Sequence, residues 1–284
     1  MISKKITLNI PCIQYRFFTY TLSALVVIVT IGFFIFKGLN YGIDFQGGIL
    51  MEVKTAQPAN LSEMRARLSD ENLGDVTLQE FGSAQDILIR MERPEGGGKD
   101  QIRAIENIKS LLGKETDIRR IETVGPKMGQ ELISNGLQAI AWALIAMLVY
   151  IWFRFEWQFG LCAILALIHD AIAVLGLYSI FRFEFNTTAI VAILITVGYS
   201  NNDTVVIYDR VRENLKKYKE KTIEDILNLS VNETLSRTLL TSSSTLLALF
   251  ALYFFGGEVI ASYSLPIIIG VSIGTFSSIF LASP

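Results

Sequence analysis

The sequence has little of the chemistry by which most enzymes are recognised. Its 284 residues include one histidine and two cysteines, Cys12 and Cys162, which lie 150 positions apart, the second inside an apolar run. No disulfide framework or metal-spaced cluster can be drawn from that set. No CxxC, HExxH or GxxxxGK(S/T) string occurs, which argues against zinc chemistry and against an ATP-driven mechanism within the chain. Charge is also scarce. Only 18% of residues are Asp, Glu, Lys or Arg, and 25 basic against 27 acidic side chains leave a net charge of -2. Without a basic excess, nucleic acid is not an expected partner. No enzymatic activity, metal or organic cofactor is expected.

What is abundant is apolar surface. Apolar residues make up 51% of the chain and the mean hydropathy is +0.43, too greasy and too charge-poor for an ordinary soluble domain of this length. Crossing a bilayer as helix takes about 20 apolar residues. Six runs qualify: 17–36, 132–153, 157–181, 185–208, 238–255 and 259–281. The first is too long for a signal peptide and lacks a small-residue cleavage site, so it reads as an anchor. Lys4, Lys5 and Arg16 precede it, and Arg210, Arg212, Lys216, Lys217, Lys219, Lys221 and Arg237 fall between runs four and five. The opposite connections carry only Arg182 between runs three and four and no basic residue between five and six. The positive-inside bias then predicts both termini in the cytoplasm of a multi-pass plasma (inner) membrane protein.

Between runs one and two, residues 38–130 change to mixed charge with alternating apolar patterns broken by turn residues. Strands are predicted at 48–55, 75–82, 86–92 and 117–124, and helices at 61–72 and 100–113, with the GGG at 96–98 as a break and Gly113 as a helix stop. The order βαββαβ is that of a ferredoxin-like α+β sandwich. The predicted organisation is residues 1–37 as cytoplasmic N-terminus and first span, 38–130 as an extracytoplasmic ferredoxin-like domain, and 131–284 as spans two to six. A basic cytoplasmic segment at 209–237, inside that last block, reads as an amphipathic helical hairpin at the membrane surface, where anionic lipid is a possible contact.

Runs one, two, five and six contain no charge; His169 and Asp170 interrupt the third and Asp203 the fourth. An ionisable side chain near the centre of a span costs on the order of 2.5–3.5 kcal/mol by insertion scales, so it usually faces the bundle interior and serves a function. Thr196, Tyr199, Ser200 and Asp203 share one helical stripe. The fifth run opens at Arg237, with Thr241, Ser244 and Thr245 on the same face. Linked at their cytoplasmic ends, the two helices can bring Asp203 and Arg237 into one half of the bilayer. Asn202 and Ser200 beside the acid, and Thr241 beside the arginine, are supporting candidates. Desolvation favours the protonated form of a carboxyl and a nearby guanidinium the ionised form, so a moving arginine can load and unload a proton. The membrane field supplies roughly 2.3 kcal/mol per charge per 100 mV, and protons would be the coupling ion. The alternative is static: Asp203 held by the neighbouring amides, Arg237 snorkelling to the headgroups. His169 and Asp170 form a secondary polar site, for which fixing helix packing is the simpler role. Gly270 and Gly274, with Ser278 continuing the stripe, give span six a GxxxG face for close packing.

Six segments in register carry a family resemblance: YGIDFQGG (41–48), VGPKMGQEL (124–132), LIHDAIAVLG (167–176), GYSNNDTVVIYDRVREN (198–214), LSRTLLTSS (235–243) and FGGEVIASYS (255–264). Together they resemble SecF, the smaller membrane subunit of the SecDF protein-export complex, and cover nearly the whole chain. The resemblance implies an RND-superfamily membrane fold, a SecD partner with a similar six-span core, and association with the SecYEG translocon, often with YajC. It further implies that proton flow at the SecD and SecF interface moves the extracytoplasmic domain to draw unfolded polypeptide outward after SecA has pushed it in. Asp203 and Arg237 match the family's functional pair. Asp44, Gly47 and Gly48 match the aspartate and paired glycines after the first span, which read as fixing the membrane-proximal turn. Two departures stand out: Asn201 occupies a position that is usually aliphatic, and the chain ends at Pro284 without the usual short tail. Three other readings are weighed. A non-conducting scaffold for SecD and the translocon would use the same packing faces. An RND exporter of small molecules would need a larger extracytoplasmic region and a second six-span half. An intramembrane aspartyl protease using Asp170 and Asp203 would need a GxGD string, and GYSNND stands in its place.

Overall fold

Each of the six apolar runs is a helix long and apolar enough to cross a membrane. The computed structural model describes residues 10–58, 60–69, 76–81, 83–92, 98–112 and 116–283. A short 3₁₀ turn, Cys12–Tyr15, leads into α1 (Arg16–Lys37). The insert follows as β1 (Asn40–Tyr41), α2 (Ile43–Gln46), β2 (Gly48–Lys54), α3 (Leu61–Ser69), β3 (Val76–Phe81), β4 (Ser83–Glu92), α4 (Gly98–Leu112) and β5 (Asp117–Val124). The remaining spans are α5 (Pro126–Arg154), α6 (Trp157–Phe181), α7 (Thr187–Lys217), α8 (Ile223–Phe255) and α9 (Gly257–Phe280), with β6 (Glu184–Phe185) between α6 and α7.

The insert has the predicted βαββαβ order. Its four-stranded sheet runs β3-β4-β2-β5, antiparallel throughout. Strand periodicity places Ile49, Met51 and Val53 of β2 and Ile87, Ile89 and Met91 of β4 on one buried face. Leu68 of α3 and Ala104 and Ile108 of α4 pack into the same layer. Each large apolar side chain so buried contributes about 1.5–3 kcal/mol. Several predicted positions lie outside the described residues: Lys4 and Lys5, residues 70–72 of the first helix, residues 75 and 82 of the second strand, Gly96, Gly97 and Gly113. The third strand starts at Ser83 rather than residue 86, because Ser83 already pairs with Phe81 across the turn.

The insert is rooted on the bundle by a second, parallel two-stranded sheet in which Asn40 pairs with Glu184 and Tyr41 with Phe185. Arg182 closes α6 in the left-handed region at φ 58°. Its carbonyl accepts from Asn40 Nδ2 at 3.2 Å and its guanidinium donates to the Lys37 carbonyl at 2.9 Å. Tyr41, Phe45, Tyr178 and Phe185 pack ring against ring beneath this junction.

The basic segment at 209–237 is not a separate hairpin. α7 runs on to Lys217 and α8 starts at Ile223, so spans four and five extend past the expected membrane boundary as one antiparallel pair. Val211 and Asn214 of α7 and Ile226, Ser230 and Val231 of α8 are buried. Arg210 Nε donates to Glu233 at 2.7 Å and Asn214 Nδ2 to Ser230 Oγ at 3.0 Å. Thr222 caps α8, accepting from the Asp225 N–H at 3.2 Å, which ends the turn and sets the register. In the bundle α6, α7 and α9 form the buried centre, whereas α1, α5 and α8 leave much of their apolar surface exposed.

Candidate functional site

α9 reaches the bundle centre because it is smooth where it meets α7. A Cβ on Gly274 would lie 2.9 Å from Ser200 Cβ, and one on Gly270 would strike the Thr196 side chain. Glycine at these two positions lets the helices approach closely. Thr196, Ser200 and Asp203 are all buried, on the interior stripe their spacing predicts, and Tyr199 is half-buried beside them.

Two polar centres lie on this seam. In the first, Asp170 is fully buried. Its Oδ2 accepts Ser200 Oγ–H at 2.6 Å and Ser277 Oγ–H at 2.7 Å, while its Oδ1 lies 3.0 Å from His169 Nδ1. The network continues along α7 and α9: Thr204 Oγ donates to Ser278 Oγ at 3.0 Å, and Ser278 Oγ donates to the Ser200 carbonyl at 2.9 Å. Adjacent residues on a helix point about 100° apart, yet the reach of the imidazole closes that gap. Ser200, expected beside Asp203, serves Asp170 instead.

In the second centre, Asp203 is 3% exposed and its Oδ2 has no hydrogen-bond partner among the described residues. The groups acting on its carboxylate are the Arg237 guanidinium and the Thr241 hydroxyl, one turn apart on α8. Thr241 Oγ also donates to the Arg237 carbonyl at 3.1 Å. Asn201 Oδ1 and Thr238 Oγ1 are likewise buried without partners. Arg237 and Asn202 are exposed, so Asn202 sits on the outer face of α7 rather than on the stripe of Asp203. Tyr199 OH to Ser242 Oγ at 3.4 Å and Ser242 Oγ to Thr275 Oγ1 at 2.8 Å extend the polar seam across α7, α8 and α9.

Asp44 does more than shape a turn. Its Oδ2 accepts both the N–H of Thr187 at 3.0 Å and the Thr187 hydroxyl at 2.5 Å, so the turn after span one caps the helix that carries Asp203. Asn186 completes the cap, accepting from the Ala189 N–H at 3.2 Å. Gly47 is in the positive-φ region at 80°, where L side chains are strained, and a Cβ on Gly48 would lie 2.6 Å from the Met91 carbonyl oxygen. The paired glycines thus turn the chain into β2 against β4. Next to this turn, Arg90 of β4 makes an ion pair with Glu184 of β6. Burial pulls the Arg90 guanidinium below its ordinary range, and the charge of Asp44 acts the other way. A cleft of about 310 Å³ beside the pair is lined by Gln79, Arg90 and Glu184 on one side and Tyr253 and Tyr263 on the other.

Ser277, Thr204, Ser242 and Thr275 were not candidates from the sequence. Hydroxyl residues are common in membrane helices, and the sequence singled out only Ser278 on α9, as part of a close-packing stripe with Gly270 and Gly274.

These features define a class: a multi-pass α-helical membrane protein with one ferredoxin-like insert after its first span and acidic side chains enclosed at the centre of its bundle. The family described as "Protein export membrane protein SecD/SecF, C-terminal" matches residues 104–284, and the "SecD/SecF GG Motif" matches residues 32–59. The chain is 43% identical over 281 residues to the protein translocase subunit SecF of Rickettsia rickettsii, covering 95% of this chain and 89% of that one. It is also 43% identical over 281 residues to the SecF of Desulfurispirillum indicum, covering 96% and 90% respectively. The chain belongs to the SecD/SecF family. The crystal structure of SecDF from Thermus thermophilus, titled a translocon-associated membrane protein, superposes on all of this chain with a TM-score of 0.82 at 32% identity. This chain spans 38% of the length of that one. A SecDF crystal structure in a "super-membrane-facing form" gives a TM-score of 0.70 at 33% identity.

Proposed function

We propose that this chain is an auxiliary subunit of the Sec export machinery and that, with SecD, it uses the proton motive force to promote late translocation and release of exported polypeptides. The observation that carries the reading is Asp203: a buried carboxyl with one unpartnered oxygen, beside Arg237 and Thr241 on a neighbouring helix. A buried charge with an unpartnered oxygen is costly, so protonation, or a closer approach of Arg237, relieves it. Alternation between those two ways of meeting the same need is a proton cycle. The exposure of Arg237 and Asn202 supports a second six-span subunit on this face, closing the path, and SecD is the partner the family suggests.

The cap from Asp44 to Thr187 supplies the mechanical half. A change in tilt of α7 as Asp203 gains or loses a proton is passed to the root of the insert at the point where β2 begins. The two TM-scores, 0.82 and 0.70 at nearly equal identity, support a fold with more than one arrangement of its parts. In this reading both termini face the cytoplasm of the inner membrane and the insert lies outside it. SecYEG and, with it, YajC flank the complex, SecA acts on the opposite side, and the unfolded polypeptide meets the insert. No cofactor besides protons takes part.

The reading is tested by precursor export in cells carrying Asp203→Asn. Slowed export with normal assembly of the subunit supports it; full export with normal assembly removes the proton role.

A further inference from the structure

Within the helix bundle, two buried polar atoms outside the Asp203 centre have no hydrogen-bond partner among the described residues: His169 Nε2 on α6 and Ser23 Oγ on α1. Their residues are 8% and 5% exposed. The two helices run parallel and in contact, since Thr30 abuts Gly176 and, further on, Ser179 Oγ donates to the Gly38 carbonyl at 3.0 Å. Ser23 lies seven residues before Thr30 (30 − 23) and His169 seven before Gly176 (176 − 169). Both are about two turns from the same contact, and so at the same level of the bundle. Unsatisfied polar atoms enclosed at one level of two touching helices are a setting in which an internal water is held.

We propose that a buried water joins Ser23 to His169, and that His169 and Asp170 together form a second proton-holding site of the bundle, connected to the Asp203 helix through Ser200. The inference rests on the proton-coupled reading above. With Asp170 ionised, its three neighbours all donate: Ser200, Ser277 and the His169 Nδ1–H. That set stabilises the carboxylate without an arginine. A proton arriving on the water bonds to Nε2. The Nδ1–H bond then breaks, and its proton passes to Asp170 Oδ1 across the 3.0 Å contact. The imidazole stays neutral in the opposite tautomer, the carboxylate is neutralised, and the new O–H donates back to Nδ1. Both states keep every hydrogen bond of the pair, so the site holds or releases one proton without a side chain changing place. The proton also alters the acceptor strength of Oδ2, to which Ser200 of α7 donates, three residues before Asp203.

The other titratable groups on the packed helices are few. α7 contributes Asp203, Tyr199 and Tyr208, with Asp209, Arg210, Arg212, Glu213, Lys216 and Lys217 towards its C-terminal end; α1 has Tyr20, with Arg16 and Lys37 at its ends; α6 itself adds Cys162 and Tyr178; α5 has Tyr150, with Lys127, Glu131 and Arg154 towards its ends; and α9 has Tyr263, with Glu258 in its first turn. Among the described residues, Asp203 is the other buried carboxyl of the spans.

The chain's single histidine makes the site directly readable. With ¹⁵N-histidine in this chain alone, assembled with SecD in lipid nanodiscs, the imidazole ¹⁵N shifts report the tautomer across a pH series. The expected result is an Nδ1–H tautomer at high pH that converts to Nε2–H as pH falls. Ser23→Ala, which removes the water's second anchor from the periphery of the bundle, should hold the ring as Nδ1–H throughout, and Asp170→Asn should abolish the conversion. A ring that keeps one tautomer, or becomes a plain imidazolium, in the wild-type complex overturns the inference. So does a conversion untouched by Ser23→Ala. Proton flux in the same preparations separates the two levels: flux lost in Asp203→Asn alongside a fixed tautomer rejects this site and leaves the parent reading standing. Conversion alongside flux indifferent to Asp203→Asn supports the site and rejects the parent reading.

Discussion

Asp44, in the first turn after span one, caps the helix that carries Asp203: its Oδ2 receives the Thr187 N–H at 3.0 Å and the Thr187 hydroxyl at 2.5 Å. A carboxylate at a helix N-terminus also meets the positive end of the helix dipole. The bond joins the root of the insert to the span on which proton chemistry is proposed, 16 residues along α7 from Thr187 to Asp203 (203 − 187).

Asp44→Ala should therefore cost about 0.5–2 kcal/mol, the usual range for losing an N-cap. Thermal unfolding of the purified SecD complex measures that loss. Export should fall by more than the stability change explains, because the link between insert and α7 is cut. Asp44→Asn, which keeps an acceptor, should retain most of the stability. Equal export in wild type and Asp44→Ala would separate the cap from function.

The ion pair between Arg90 and Glu184 ties the sheet of the insert to the α6–α7 connection. Breaking one side of a partly buried pair leaves the other charge poorly solvated. Glu184→Arg should widen the distance distribution between spin labels on the exposed faces of α4 and α5, and the exchange Arg90→Glu with Glu184→Arg should narrow it again. An unchanged distribution in the single variant would show that β1 and β6 hold the insert alone.

Gly274 and Gly198 make a matched pair for packing. A Cβ on Gly274 meets Ser200 Cβ at 2.9 Å, whereas nothing lies within 4 Å of a Cβ on Gly198. Gly274→Val should destabilise the bundle by about 1–3 kcal/mol through overpacking and shift the α7–α9 seam. Gly198→Ala should be nearly neutral in this chain. A loss of SecD association in Gly198→Ala with unchanged stability would place that position against the partner.

Much of the architecture was legible in the sequence for simple reasons. Apolar runs of about 20 residues have few fates other than spans, and period-two alternation at Ile49, Met51 and Val53 marks a half-buried strand. Helix ends were harder to place. The stretch from Asp209 to Lys217 is polar enough to read as surface, and only tertiary pairing, such as Arg210 with Glu233 and Asn214 with Ser230, shows that α7 and α8 continue through it. At the site, Asp203 and Asp170 stand out because charge inside a span is rare. Their partners do not. Ser277 and Thr204 acquire meaning only once Gly274 has brought α9 against α7, and assigning Ser200 to Asp170 rather than Asp203 depends on which neighbour the stripe faces. Asp44 was legible as a turn residue, but its role as a cap joins positions 143 residues apart.

The central claim is that Asp203 carries protons with Arg237 as its counter-charge. Proton flux through reconstituted SecD complexes, driven by a pH gradient and an applied potential, measures it directly in wild type, Asp203→Asn and Arg237→Met. The account predicts gradient-driven flux in wild type and flux near the empty-vesicle leak in both variants, with equal protein incorporation. Equal flux in all three would contradict it and confine this chain to a structural part in the complex.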